Sequence, residues 1–271
     1  MSRPMARVGH AVLGGTFDRL HVGHAALLAT AVRRGRRVSI GLTTAAFLRA
    51  HPKPGGPRIQ PYAARRAALA RWLAAHAPRG AWRIVPLADR FGRSVGPGVD
   101  LLVVSAETAD GGRAVNAERR RRGRPAVPVA VVPLVLADDL EPVSSRRIRA
   151  GEIDRAGRRR APIDVAVAAR DPATVAAAAR GVRRAMRSAR VVALAAGELG
   201  AEERTSARIL AVRARARAPL AIGIEPGPGG WTVVEASRSV VLAPRRVRGR
   251  GPAALARGVA AVVRPARPQP L

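Results

Sequence analysis

VGHAVLGGTFDRLHVGHAALLATAVRRG, residues 8–35, joins an apolar run to a glycine- and histidine-rich turn and then to a helical pattern. Residues 8–13 are apolar enough for a buried strand. Gly14 and Gly15 follow, then Thr16, then two histidines three residues apart, His21 and His24. Residues 25–34 have helical spacing and end at Gly35, so the stretch reads strand, glycine turn, helix. In an open parallel sheet, ligands sit beyond the carboxyl ends of the strands. Glycines there let a phosphate approach the backbone, and the free N–H groups of a following helix favour an anion. The two imidazoles then project towards that anion, where they can donate hydrogen bonds to a charge-rich phosphoryl transition state. Metal ligation is the rival use of paired histidines, but no acidic or thiol partner lies at a helpful spacing.

The same alternation continues outward. Strands are expected over 37–42, 84–87, 101–105 and 127–136, with helices over 63–76 and, more basic, 115–122. Strands alternating with helices predict a Rossmann-like α/β domain built on a parallel sheet. We place it at 1–155, with a linker at 156–161. A second, smaller α/β domain is expected over 162–263, followed by a Pro-rich tail at 264–271. Its strands fall at 163–168, 191–195 and 221–225, its helices at 174–187, 202–218 and 253–263, and a hairpin at 231–234 with 240–243.

Composition narrows the function classes. No run of about 20 apolar residues suggests a membrane span, and the N-terminus reaches a glycine turn too early for a secretory leader. The 271 residues include no cysteine, which excludes disulfides and thiolate metal sites and makes the cytoplasm the simplest location. The formal charge is +31, which suits a polyanionic partner. The arginine-rich runs at 119–122, 158–160 and 245–250 carry few aromatics for stacking bases, which speaks against nucleic acid. Compositional drift towards arginine and alanine accounts better for the charge. Lysine, asparagine and tyrosine each occur once, as Lys53, Asn116 and Tyr62. Against that drift, residues that remain are candidates for chemistry that arginine and alanine cannot perform.

The motif TFDRLHVGH (16–24) resembles the (T/S)-x-x-H-x-G-H pattern of the nucleotidyltransferase superfamily. Three further segments resemble one branch of it, the archaeal and eukaryotic phosphopantetheine adenylyltransferases: IGLTTAAFLRAHPKPGGPRIQPYAARR (40–66), VVSAETADGGRAVNAERRRRGRP (103–125) and VPLVLADDLEPVSSRRIRAGEID (132–154). Together they span nearly the whole first domain in order. All three singletons fall inside them. The SSRRIRAGEID segment differs from the pattern expected of cytidylyltransferases.

The resemblance implies that the 4′-phosphate of phosphopantetheine attacks the α-phosphate of ATP, giving dephospho-coenzyme A and pyrophosphate. It assigns Thr16, His24 and Lys53 to catalysis, Lys53 also holding the acceptor phosphate. It assigns Gly14, Gly15, His21, Ser105, Glu107, Thr108, Ser144, Ser145 and Arg147 to the nucleotide, and Arg65, Asn116 and Arg119 to the substrate. Magnesium is expected on the ATP phosphates rather than in a protein cage, and association into a homo-oligomer stays open. One departure is Arg146, where the family carries threonine. Rival readings are a nucleotidyltransferase with another phosphorylated acceptor, such as nicotinamide mononucleotide, and a basic nucleic-acid-binding protein without turnover.

DVAVAARDPATVAAAARGVRRAM (164–186) and RARARAPLAIGIEPGPGGWTVVEA (213–236) resemble, more weakly, phosphatases of inosine and xanthosine triphosphate. The family's G-S-x-N-P-x-K start is replaced here by Ala168, Ala169, Arg170, Asp171, Pro172, Ala173 and Thr174, while Glu225 survives at a strand end. A degenerate domain is therefore expected, with a bifunctional enzyme as the alternative.

Overall fold

The computed structural model describes residues 7–52, 58–186, 189–200 and 205–263. Lys53 and the tail at 264–271 lie outside the described residues. Two compact units divide the chain. The first runs to Val135 and includes Val143–Ala156; the second takes Leu136–Pro142 and the described chain from Gly157 on.

In the first unit, β1 (Val8–Gly15), β2 (Gly35–Thr43), β3 (Trp82–Leu87), β4 (Leu101–Ser105) and β5 (Val129–Val132) form one sheet in the order β3-β2-β1-β4-β5. Every neighbouring pair is parallel. The order reverses between β1 and β4, so the chain leaves β1 at the topological switch point, where open sheets bind ligands. Alternation along β1 serves two cores. Ala11 and Leu13 pack with Leu28 of α1 (Val22–Arg34) and with Leu69 and Leu73 of α3 (Tyr62–His76). Val12 packs on the opposite face with Leu102, Val104 and Val115 of α4 (Ala109–Arg121). The short α2 (Ala45–Ala50) is capped by the Thr44 side chain, which accepts from Phe47 N–H at 3.1 Å.

Elements of this unit that differ from the sequence reading include α1, α4 and β5. Helix α1 starts at Val22 rather than at 25, so the histidine motif is part of the helix start. Helix α4 starts six residues earlier than expected and runs through Gly111 and Gly112. A Cβ on Gly112 would sit 3.0 Å from Val129 Cγ1, so the glycine allows the helix close to the sheet. The strand expected over 127–136 is only Val129–Val132. Pro128 and Pro133 bracket it, and neither can donate to a ladder.

The second unit has β6 (Asp164–Ala169), β7 (Arg190–Ala195), β8 (Leu220–Gly227), β9 (Gly230–Ser237) and β10 (Arg245–Arg248) in the order β10-β9-β8-β6-β7. Strands β6, β7 and β8 pair parallel, while β9 and β10 are antiparallel additions. Helices α6 (Pro172–Ala185) and α8 (Pro252–Val262) cover one face and α7 (Ala207–Ala214) the other. The hairpin differs from expectation: β9 pairs with β8 across Pro228 and Gly229, and residues 240–243 supply only an isolated bridge from Val241 to Ala236. Among the described residues, α7 is shorter than the expected 202–218, beginning after the Ser206 cap. No helix among the described residues is long and apolar enough to cross a membrane.

Candidate active site

The motif turn between β1 and α1 holds two non-glycine residues in an unusual backbone conformation. Phe17 and Arg19 adopt φ of 48° and 47°, a left-handed conformation that non-glycine residues rarely hold. Several groups over-determine it. The Phe17 ring is buried in the core. Arg65, 1% exposed, donates to the carbonyls of Thr16 at 2.8 Å, Thr43 at 3.0 Å and Gln60 at 2.9 Å. Gln60 returns two bonds: its N–H donates to Asp18 Oδ1 at 2.9 Å, and its side-chain oxygen accepts from Arg19 N–H at 2.7 Å. Ser145 Oγ donates to the Asp18 carbonyl at 2.7 Å, and Arg149 Nη1 to Asp18 Oδ2 at 2.6 Å.

His21 is the residue before the first turn of α1, in extended conformation, and its carbonyl accepts from Ala25 N–H at 2.9 Å. Its ring stacks on His24 with centroids 3.8 Å apart, and the Phe17 ring lies 5.2 Å from His24. The stack lies against Gly23, where a Cβ would sit 3.1 Å from His21 Cε1, a tight contact. Burial pushes the His21 imidazole down to about 4, with the nearby Asp18 charge pulling the other way, so the ring is neutral near pH 7. Its buried Nδ1 has no hydrogen-bond partner among the described residues. The first turn of α1 carries no acidic side chain and no side-chain cap, so its positive end is not neutralised from within.

The remaining candidates fall into two groups. At strand ends, Ser105 and Thr108 close a capping box on each other, with hydroxyls 3.0 Å apart, beside the exposed Glu107. Ser144 caps α5 (Ser145–Arg149) by accepting from Arg147 N–H at 3.4 Å, and Arg147 Nε donates to Glu152 at 2.9 Å. Gly14 pairs with Gly41 at the ends of β1 and β2. Both line a cavity of about 210 Å³ together with Val85, Leu87, Phe91 and Thr108.

The three residues expected at the substrate have other employment. Arg65 braces the motif turn as described. Asn116 makes both bonds to the Val127 backbone at 2.9 Å. Arg119, buried, donates to the carbonyls of Pro125, Ser94 and Gly96, each at 2.9 Å. These side chains hold the protein's own loops, since a buried guanidinium or amide must find partners wherever they are nearest. Asp18, Gln60 and Arg149 were missed by the sequence reading, although they lie inside 8–35, 40–66 and 132–154. Among the described residues no group of three metal-ligating side chains is placed to hold an ion.

A family model described as cytidylyltransferase-like matches residues 12–151. A phosphopantetheine adenylyltransferase of Methanopyrus kandleri is 41% identical over 152 residues, 56% of this chain and 94% of that protein. Its counterpart in Methanothermobacter thermautotrophicus is 39% identical over 146 residues, 54% of this chain and 85% of the relative. A bifunctional phosphopantetheine adenylyltransferase/NTP phosphatase of Thermoplasma volcanium is 39% identical over 156 residues, 57% of this chain but 46% of that longer protein.

Proposed function

The chain belongs to the cytidylyltransferase-like family and, within it, to the phosphopantetheine adenylyltransferases; from that premise we propose that it transfers the adenylyl group of ATP to 4′-phosphopantetheine, a step of coenzyme A biosynthesis in the cytoplasm. One observation carries the reading: two stacked histidines stand at the positive end of α1, which no side chain caps, at the switch point of a parallel sheet.

An oxygen of the acceptor phosphate forms a bond to the α-phosphorus, and the bond from that phosphorus to the bridging oxygen breaks, releasing pyrophosphate. The nucleophile is a phosphate monoester with a second pKa of about 6, so it is already largely ionised and needs no general base. What remains is positioning and stabilisation of developing charge. His21, neutral by burial, is suited to donate a hydrogen bond rather than a proton. His24 and Thr16 face the transferring group, and the α1 dipole adds to their effect. Ser144, Ser145 and Arg147 receive the ATP phosphates. Lys53 holds the acceptor phosphate, and the apolar cavity beside Leu87 and Phe91 suits the flexible pantetheine arm. Arg65, Asn116 and Arg119 act indirectly, by holding the loops that line the site.

Magnesium would enter on the nucleotide phosphates, lowering their charge repulsion. The donor set fits that arrangement. The motif's carboxylate, Asp18, is already committed to Gln60 and Arg149.

In the second unit we propose no hydrolase activity. Ala168 and Ala169 are buried at the end of β6, Asp171 is spent on capping α6, and Glu225 faces Arg170 at 3.5 Å. The test of the main reading is pyrophosphate release from ATP across a panel of phosphorylated acceptors. Turnover confined to phosphopantetheine supports it, and turnover with nicotinamide mononucleotide instead replaces it.

A further inference from the structure

The chain enters the second unit twice. Leu136–Pro142 belongs to it, Val143–Ala156 returns to the first unit, and the chain joins the second unit again from Gly157. The returning segment carries Ser144, Ser145, Arg147 and Arg149. Both of its flanks are therefore anchored in the second unit, and those flanks are bonded to each other. Asp138 N–H donates to the Gly157 carbonyl at 3.0 Å. Arg159 N–H reaches Asp138 Oδ2 at 3.2 Å, and Arg159 Nη1 reaches Asp139 Oδ2 at 3.2 Å.

The upstream flank is also tied to the second sheet. It folds back on itself through the Leu136–Pro142 bridge and the bond from Ala137 N–H to the Glu141 carbonyl at 2.8 Å. Leu140 packs against the core around Ile222 and Val233. Ser237 Oγ donates to the Leu140 carbonyl at 3.3 Å. Ser239 donates twice to Glu141, from N–H to Oε1 at 3.0 Å and from Oγ to Oε2 at 2.5 Å.

We infer that the second unit works as a clamp on the nucleotide-phosphate segment, with Ser239, Glu141 and Arg159 as positioning residues for ATP binding. This rests on the proposal that Ser144, Ser145 and Arg147 receive ATP phosphates. A loop whose two flanks are fastened together loses less entropy when a ligand orders it, so fastening raises affinity without any contact to the ligand. The clamp gives the second unit a use that needs no triphosphate chemistry, and it acts selectively. It acts on 143–156, whose proposed ligand is ATP, while the acceptor side is built from other segments.

The test uses the full chain with Ser239→Ala, Glu141→Ala and Arg159→Ala. Ser239 is exposed, so its replacement leaves the core intact, and thermal unfolding checks all three. Affinity for magnesium–ATP is measured by equilibrium dialysis, and KM for the acceptor separately. Glu141→Ala is expected to weaken ATP by roughly fivefold or more, Ser239→Ala by less, with the acceptor KM within about twofold of wild type. ATP affinities within about twofold of wild type in all three variants, or equal losses for ATP and acceptor, overturn the clamp. A wild type that binds ATP yet releases no pyrophosphate with phosphopantetheine removes the enzyme reading alone, because the binding comparison does not depend on turnover.

Discussion

Asp18 and Arg149 meet in a buried ion pair: Nη1 lies 2.6 Å from Oδ2, with the two side chains 1% and 8% exposed. The pair joins the motif turn to α5 across 131 positions of sequence. It also fixes the residue between Phe17 and Arg19, whose left-handed backbones need holding. Breaking such a pair from one side leaves a buried charge and costs about 3–5 kcal/mol. Asp18→Ala should therefore lower unfolding free energy by that order. Asp18→Asn with Arg149→Met should recover part of the loss, because neither charge is then stranded. Urea unfolding of the single and double variants measures this. Additive losses in the double variant would mean that the two side chains do not work as a pair.

The His21 imidazole, lowered to about 4 by burial against an ordinary 6.5, makes stability depend on pH. Between those values the unfolded chain binds the proton and the folded chain does not, so stability rises with pH across the window. It is fully present above about 6.5 and is lost as pH falls towards 4, by an amount on the order of 3 kcal/mol. Unfolding of wild type and His21→Gln at pH 4.5 and pH 7 should show a shallower pH slope in the variant. A histidine resonance assigned to His21 that titrates near pH 6.5 would contradict the account.

Lys53 is the single lysine in a chain that otherwise uses arginine. A compact ammonium is not replaced by a longer, forked guanidinium at a site needing a point charge. Lys53→Arg should lower kcat/KM for phosphopantetheine by about 10-fold or more through misplacement of the acceptor phosphate. Steady-state kinetics with the acceptor varied checks it, and wild-type values would leave Lys53 with no part in the reaction.

The strand–glycine–helix unit and the alternation that follows it were legible because their periods are local. What escaped was set by partners far away in sequence. The helix expected over 115–122 begins at Ala109 and includes Gly112, where a Cβ would lie 3.0 Å from Val129 Cγ1 on the neighbouring strand. The strand at 127–136 looked long by hydrophobicity, while Pro128 and Pro133 limited its ladder to four residues. Arg65, Asn116 and Arg119 sit in matched segments and read as ligand contacts. Only the folded chain shows that their hydrogen bonds go to Thr16, Val127 and Ser94. Asp18 lay inside the motif, but its partner lies in the segment farthest from it.

The second unit should hydrolyse no nucleoside triphosphate. Its β6–α6 turn offers no glycine, and the Asp171 carboxylate is held by Thr174 through N–H and Oγ1, both at 2.8 Å. The full-length protein, incubated with inosine or xanthosine triphosphate and magnesium or manganese, should release no more phosphate or pyrophosphate than a Glu225→Ala variant. Release well above that control would make the protein bifunctional.

The most direct test of the central claim is pyrophosphate release from ATP and 4′-phosphopantetheine by wild type and His24→Ala, with ATP binding measured in parallel. Loss of a hydrogen-bond donor to developing charge typically costs about 3–4 kcal/mol in the transition state. Wild type should give robust, acceptor-dependent release, and the variant a fall of about 100-fold or more in turnover with ATP affinity largely kept. Unchanged turnover with weakened ATP binding would make His24 a ground-state contact, and no release from wild type would contradict the assignment itself.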